Sequence, residues 1–457
     1  MIERSVLKFG GSSMSRPEQV AEIFTEEPER NGVTIVSAIG KEPFDGNGCP
    51  KVTDALIDLE RAVDKSDHIA IAEAQEFVLA RNRQVYSMLA GRALDRVVDD
   101  AYKLMRPEAR PNGFQWIGEY LSARLLAELT GALYLPSDLR FSGGVVQVGE
   151  SVRAIRKQVA PFVRAGRQVV VPGFFGYDNT TGALNTLPRG GSDTSGVIYT
   201  GALLNQGLGG WINENYTDKD GVLSADPDIV PQAHVIPEMT HDEMREKMHG
   251  ITERNGVVHG DAIAYAARMG VEMQVKNTFN ADAAGTRITS NRCSDPDHPV
   301  IGVTGKADLV AISTYDIGMA DAENYVSPIL TKIGELGMSW SNIPTGEDRL
   351  KIIFNSGVTE ENLLQLREYI QANTISGEKS KVTIKRDQGA VYVIGQELVD
   401  PLTYTSILGR VATQIAKAGL SMREVISHEE SPSLALTVQS SEVRRVIEIL
   451  HAELLEN

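Results

Sequence analysis

The chain has 457 residues, 42% of them hydrophobic and 23% charged, with a formal net charge of −16. This length predicts two or three domains with real cores, and the negative balance argues against a nucleic-acid or anionic-membrane surface. No apolar run is long enough to span a bilayer, and two cysteines, Cys49 and Cys293, cannot by themselves build a disulfide framework or a zinc site.

The opening MIERSVLKFGG reads as the edge of a strand rather than a signal peptide, and a reducing cytoplasm is the expected compartment. Residues 1–290 then alternate β-rich runs with helical stretches. RSVLKFGG, GVTIVSAIG, GALYLP, RQVVVPGFFG and GGWINENYTD are strand candidates. EAQEFVLARNRQVYSMLAGRALDRVV and QWIGEYLSARLLAELTG are helix candidates. That rhythm predicts a three-layer α/β domain around a mainly parallel sheet. SNRCSDPDHP, residues 290–299, is polar and proline-bearing and predicts a linker.

Beyond the linker the chain repeats. IGELGMSWSNIPTGEDRLKIIF (333–354) can be laid over IAKAGLSMREVISHEESPSLALTV (415–438). Each has a helix end, a glycine that can cap it (Gly337, Gly419) and two strands around a polar turn. VIGVTGKADLVAI and KVTIKRDQGAVYVIG supply upstream strands, and EVRRVIEILHAELL a closing helix. Two ferredoxin-like βαββαβ units follow.

Three loops in the first part carry chemistry. KFGGSSM holds Lys8, Gly10, Gly11, Ser12 and Ser13; adjacent glycines after a strand can turn N–H groups inward as an anion nest within reach of Lys8, or simply make a tight turn. It fits neither GxxxxGK[ST] nor GxGxxG. LPRGGSDTSG, 187–196, sets the Arg189 guanidinium fork beside two glycines and Asp193, a combination suited to a carboxylate or phosphate. NYTDKDGVLSADPDIVP, 215–231, reads either as a solvated turn or as a nucleotide clamp built on Thr217 and Asp218. Glu119, at the start of an apolar helix, also fits plain helix-dipole complementation.

Taken together and in order, KFGGSSM, VSAIGK…KVTDALI, GEYLSARLL, VPGFFG, RGGSDTSG, NYTDKDGVLSADP and VKNTFNADAAGT resemble the aspartate kinases. The resemblance covers nearly the whole chain and is closest to the single-chain bacterial type. It implies an amino-acid kinase three-layer αβα sandwich over 1–292, then tandem interleaved ACT domains over 298–457, the second unit about 386–450. It also implies transfer of the γ-phosphoryl of ATP to the β-carboxylate of L-aspartate, the first step of lysine, threonine and methionine biosynthesis. Arg189 is then expected on the substrate α-carboxylate and Glu119 on its ammonium group. Ser37, Thr53, Gly190, Gly191 and Ser192 would line the same pocket. Lys8, with Gly10, Gly11 and Ser12, is expected at the transferring phosphoryl, and Asp193 would orient Lys8 or the magnesium hydration shell. Thr217, Asp218, Leu223, Gly256 and Val257 fall on the family's nucleotide positions. Magnesium travels with ATP, and no carboxylate cage is expected.

The sequence departs from the family pattern at Pro188, Leu223, Asp228 and Gly256, where relatives often carry a glycine, an aromatic residue, an arginine and a lysine. Two other readings stay open: a non-catalytic or impaired amino-acid-sensing homologue, which the altered nucleotide loop motivates, and a kinase of the same fold acting on another amino-acid carboxylate. For regulation, the resemblance implies a homodimer or larger assembly inhibited by L-lysine or L-threonine. Asp316, Gly318 and Met319 would face Ser341, Asn342, Ile343 and Thr345 at the effector site. The end of the chain is expected to return and complete the first ACT unit.

Overall fold

The structure is a computed structural model that describes residues 4–41, 50–89, 92–107, 113–188, 190–204, 206, 210–250, 256–355, 357–426 and 428–456. Its contacts divide into two compact units. The first comprises Met1–Val222, Val235–His241 and Val257–Arg292, and the second Leu223–His234, Asp242–Gly256 and Cys293–Asn457. The expected linear boundary between 292 and 298 is therefore corrected at two segments, which leave the first unit and join the second.

The first unit contains strands β1 (Arg4–Phe9), β2 (Asn31–Val36), β3 (Leu133–Tyr134), β4 (Arg140–Ser142), β5 (Val145–Val146), β6 (Val169–Pro172), β7 (Phe175–Asp178), β8 (Leu184–Thr186), β9 (Trp211–Thr217), β10 (Glu238–Thr240), β11 (Met273–Asn277) and β12 (Thr286–Thr289). Eight of them form one sheet in the order β10-β12-β11-β9-β1-β2-β6-β3, and β5-β4-β7-β8 form a small second sheet. The central pairings β9/β1, β1/β2 and β2/β6 are parallel. Such strands are covered on both faces, which is why they read as near-continuous apolar runs. Their side chains alternate between two cores. Leu7, Phe9, Val36 and Val170 pack with the helices between Pro17 and Thr130. Val6, Val33, Ile35, Val169 and Val171 pack with the helix Val148–Gln158 and the helix Gly191–Leu203. The three layers follow from that alternation.

The long helical run expected over 73–98 is divided: a helix His68–Val85, a 3₁₀ turn Ser87–Leu89, and a helix Arg92–Leu104. Asp67 caps the first of these with its carboxylate on Ile69 N and Ala70 N.

The second unit carries β13 (Gly302–Tyr315), β14 (Trp340–Asn342), β15 (Thr345–Gly346), β16 (Arg349–Phe354), β17 (Lys381–Ile394), β18 (Glu424–Ile426) and β19 (Ser433–Val438), ordered β14-β16-β13-β17-β19-β18 with β15 beside β16. Helices Val326–Glu335 and Glu360–Ala372 belong to the first repeat, Pro401–Lys417 and Val443–Leu455 to the second. Gly337 and Gly419 lie at φ 63° and 70° just past their helices, the left-handed conformation their type allows. β13 and β17, each 14 residues, run through both repeats. The start of β13, Gly302–Lys306, pairs with Ala390–Ile394 and supplies the fourth strand of the second repeat. The interleaving is thus the reverse of the expected one: the first strand of the pair completes the second unit, because the chain ends in a helix.

The two segments from before residue 257 are built into this second unit. Ala225 and Val230 share a core with Val303, Leu398 and Val446. Ser224 Oγ lies 2.9 Å from His451 Nε2, and His451 Nδ1 lies 2.9 Å from Glu456 Oε1. This order of hydroxyl, imidazole and carboxylate resembles a hydrolytic triad. Ser224 and His451 are both 0% exposed, so no substrate reaches it and it acts as a buried tie.

Candidate active site

The site is built at the carboxyl ends of β9, β1, β2 and β6. β1 lies between β2, which follows it in the chain, and β9, which comes much later, so the loops leaving this edge diverge and open a crevice. At the end of β1, Lys8 makes an ion pair with Asp193. The two residues are only 7% and 8% exposed. At that burial Coulomb attraction does little more than offset desolvation, so the pair fixes the position of Lys8 rather than stabilising the fold. Asp193 sits in the first turn of the helix Gly191–Leu203, and its second oxygen accepts the His259 N–H at 2.9 Å. Gly190 precedes that helix at φ 80°, and a Cβ there would collide with the His259 ring. Gly196, further along the helix, makes room for the lysine: a Cβ on it would stand 3.2 Å from Lys8 Cβ.

The loop after β1 is partly a nest. Gly10 N–H is committed to Tyr216 O at 3.1 Å, which extends the sheet by one bond. Among the described residues the N–H groups of Gly11 and Ser12 have no protein partner and can bind an anion. Ser13 is held elsewhere, its hydroxyl 2.7 Å from Thr278 Oγ1. Gly11 O accepts Gly40 N–H at 2.7 Å, and a Cβ on Gly11 would lie 3.1 Å from Ala38 O, so this loop rests on the one that follows β2.

A second group gathers at the end of β2. Ser37 N–H bonds Phe9 O at 3.1 Å, and the next N–H, that of Ala38, bonds the Glu119 carboxylate. Gly118 brings the helix Ile117–Thr130 so near that a Cβ would stand 2.5 Å from Ala38 Cβ and 3.4 Å from Val52 Cγ1. Thr53, half-buried, is next to Val52 in the first turn of the helix Val52–Asp64. From the far side, Gly173 donates to Val36 O at 3.0 Å, and a Cβ on it would lie 2.9 Å from Ser192 Cβ. Ser37, Thr53, Glu119 and Ser192 therefore share one neighbourhood. Glu119 is 5% exposed and its Oε2 has no hydrogen-bond partner. Burial pushes its carboxyl up to about 8, against the opposing pull of the backbone N–H groups of Ala38 and of Glu119 itself. A buried carboxylate with an idle oxygen is suited to a cationic ligand group.

Arg189 lies outside the described residues, while its neighbours Pro188 and Gly190 are described. Thr217 ends β9, and its hydroxyl donates to Asp218 Oδ1 at 3.1 Å. Val257 O accepts a hydrogen bond from Asn215 Nδ2 at 3.1 Å, which joins a segment expected at the nucleotide to the same edge. Leu223 and Gly256 fall in the second unit, as does Asp228, whose carbonyl accepts Arg444 Nη1 at 2.6 Å. Beside Asp220 lies a cavity of about 330 Å³, lined also by Asn280, Asp282 and Gly285. Asp220 is held there by Asn277 Nδ2 at 2.7 Å and Asn280 Nδ2 at 2.9 Å. Among the described residues no three His, Cys, Asp or Glu side chains stand together as a metal cage.

The effector candidates are placed less uniformly. The Asp316 carboxylate is used internally, accepting Ile375 N at 2.7 Å and Ser376 N at 2.9 Å. Met319 is 6% exposed in the core of the first repeat. Neither side chain is open to a ligand, which corrects the expectation for these two. Gly318 N–H bonds Asp348 Oδ1 at 2.8 Å, in a turn at φ 87°. Ser341 Oγ donates to Ile353 O at 3.3 Å, and Asn342 Nδ2 to the Tyr392 hydroxyl at 3.4 Å. Ile343 packs at the edge of the core, and Thr345 is exposed on β15.

Sequence reasoning passed over His259, Gly40, Gly173 and Gly196. His259 caps the helix Gly260–Met269 through Nδ1 on Asp261 N at 3.4 Å. The HGD triplet at that helix start was the available signal for it. The glycines act through close approach, which leaves no periodic trace.

Residues 3–277 match the sequence model of the amino acid kinase family. Aspartokinase 3 of Bacillus subtilis (strain 168) is 27% identical to the chain, over 98% of each. The crystal structure of Clostridium acetobutylicum aspartate kinase superposes with a TM-score of 0.79 at 20% identity, covering 99% of this chain and 100% of that one. E. coli aspartokinase III in complex with lysine and aspartate superposes at 0.73 with 19% identity, covering 99% of both. At these identities the structural likeness establishes the fold.

Proposed function

The chain belongs to the amino acid kinase family, and we propose that within it the protein is an aspartate kinase that transfers the γ-phosphoryl of ATP to the β-carboxylate of L-aspartate, giving 4-phospho-L-aspartate. The observation that carries the reading is Glu119, a buried carboxylate with one unpartnered oxygen, near the same edge as the Lys8–Asp193 pair. An α-ammonium group on Glu119 satisfies that oxygen, and Arg189 takes the α-carboxylate. Both assignments agree with the naming of relatives as aspartokinases.

The β-carboxylate of aspartate is ionised at neutral pH, since its pKa is near 3.9, so no general base is required. One of its oxygens attacks the γ-phosphorus, the bond to the bridging oxygen breaks, and ADP leaves with that electron pair. No proton moves. The difficulty is repulsion between anions, which fixed positive charge and N–H dipoles reduce. Lys8 supplies the charge, Asp193 holds Lys8 in line, and the Gly11 and Ser12 N–H groups face the developing oxyanions. Magnesium bound to the nucleotide supplies further charge neutralisation, with no protein cage required.

Feedback by L-lysine or L-threonine through the second unit, a homodimer or larger assembly, cytoplasmic location and a place at the head of lysine, threonine and methionine synthesis extend the same reading. The decisive experiment is hydroxylamine trapping of the acyl phosphate with Mg-ATP. Hydroxamate from L-aspartate should far exceed that from L-glutamate or N-acetylglutamate. An equal glutamate signal removes the substrate assignment, and no product with any amino acid favours a sensor.

A further inference from the structure

In the second unit the long strands β13 and β17 are both broken at one level. Their register shifts between Lys306 and Leu309 and again before Ala311, and Asp308 and Asp387 lie at φ 57° and 62°. Such bulges bend a sheet sharply. The sheet faces away from the helices close on each other here: Ile353 of the first repeat clusters with Tyr392 and Ala435 of the second. Lys351 of β16 and Glu424 of β18, far apart in strand order, meet at 2.7 Å.

At the mouth of this fold-over lies a cavity of about 540 Å³ lined by Lys351, Lys385, Arg386, Gln388, Arg423 and Glu424. Four cations face one carboxylate, in a chain whose net charge is −16. Lys351 is 6% exposed and engaged with Glu424. Arg386, while lining the cavity, is paired with Glu360, and Arg423 lies 3.5 Å from Asp387. Lys385 has no acidic partner among the described residues. Gln388 is 2% exposed: its amide N–H groups donate to the carbonyls of Arg386 and Asp387, while its Oε1 has no partner. A buried acceptor left idle costs stability unless a ligand or water donates to it.

We propose that this cavity binds a small molecule carrying at least two negative charges together with an N–H or O–H donor, of the class of a phosphorylated amino acid. The anionic groups meet Lys385, Arg386 and Arg423, and the donor meets Gln388 Oε1 and Glu424. The lining comes from both repeats, so the ligand bridges them and resists their separation. The site is separate from the 316–345 loops and does not rest on the catalytic assignment.

The test is calorimetry on the full-length protein at fixed ionic strength, with O-phospho-L-serine as the probe and L-serine and inorganic phosphate as partial ligands. One saturable site per chain is expected, with both partial ligands weaker. Lys385→Gln and Arg423→Gln, at exposed positions, should each weaken binding at least tenfold while circular dichroism stays unchanged. Lys8→Ala should leave it intact. No saturable heat, binding indifferent to Lys385→Gln and Arg423→Gln, or binding lost in Lys8→Ala, which would assign the heat to the first unit, each overturns the proposal. So does an oligomer that Lys385→Gln splits in sedimentation while the probe does not bind, because the cavity would then be a subunit contact.

Discussion

Replacing Glu119 by glutamine tests the substrate site through pH. The ordinary value of its carboxyl is 4.5 and burial raises it to about 8 in the folded chain. For an acid raised on folding, the folded state keeps a proton that the unfolded state gives up. Stability is therefore full below the unfolded value, falls as pH rises toward the folded one, and is level beyond it. Integrated, the penalty is roughly 1 kcal/mol at about pH 5 and roughly 3 kcal/mol at about pH 7. Glu119→Gln removes the ionisation, so the ligand-free variant should gain on the native protein by about 2 kcal/mol between those two pH values. Thermal unfolding of both proteins across that range reads the difference. Binding links to the same proton. The ammonium of aspartate needs the ionised carboxylate, so KM for aspartate should fall by up to about tenfold per pH unit from about pH 6 to 8. In calorimetry the same range should show proton release on binding. In the glutamine variant the KM slope disappears and KM rises about 10- to 100-fold. Parallel stability curves, together with a KM for aspartate flat across that range, would refute the assignment of Glu119.

Three further outcomes follow from the geometry. Lys8→Ala should lower kcat about 10²- to 10³-fold with little change in KM, because its charge acts on the transferring group; near-normal kcat in steady-state assays would remove its role. Gly190→Ala must adopt a positive φ and meet the His259 ring, so a loss of about 1–3 kcal/mol in thermal unfolding is expected. Ser440 ties the two strand breaks together, with its hydroxyl 2.9 Å from Asp308 N and its N–H 3.0 Å from Asp387 Oδ1. Ser440→Ala should cost about 1 kcal/mol and leave basal turnover unchanged, as denaturant titration and a kinase assay would show.

Much of the first unit was legible because buried parallel strands and glycine loops leave local marks. RSVLKFGG declares both the strand and the loop that presents Lys8, and GEYLSARLL declares the helix that presents Glu119. The pairing of Lys8 with Asp193 across 185 positions was expected only through the family resemblance and left no local mark, and the wedge of His259 against Gly190 left none at all. These depend on the parallel crossover that sets the helix Gly191–Leu203 against β1, a non-local fact. In the second unit the repeat was legible and its connectivity was not. An alternating run such as KVTIKRDQGAVYVIG marks a strand. It does not reveal that its halves serve different repeats, because Asp387 breaks it with a residue type that tolerates the left-handed conformation.

That connectivity changes how regulation has to be tested. Cutting the chain near Ser290 looks, from the sequence, like a clean removal of the regulatory part. Yet Ala225 and Val230, 3% and 4% exposed, belong to the core that includes Val303 and Val446. Ser224, from the same segment, is tied to His451. A chain ending at Ser290 would leave these groups without their partners, and burial of two such apolar side chains is worth about 2–4 kcal/mol. Its loss of any response to lysine or threonine would then report damage to 223–234 as readily as loss of an effector site. Substitution within the intact chain avoids the ambiguity. Gly318→Val changes an expected effector loop at a positive-φ turn with no neighbour within 4 Å of an added Cβ. It should abolish lysine or threonine inhibition while turnover without effector stays within about twofold, a strained but local change. Inhibition that persists unchanged in that variant, with calorimetry still showing the amino acid bound, would remove the loop from the effector site.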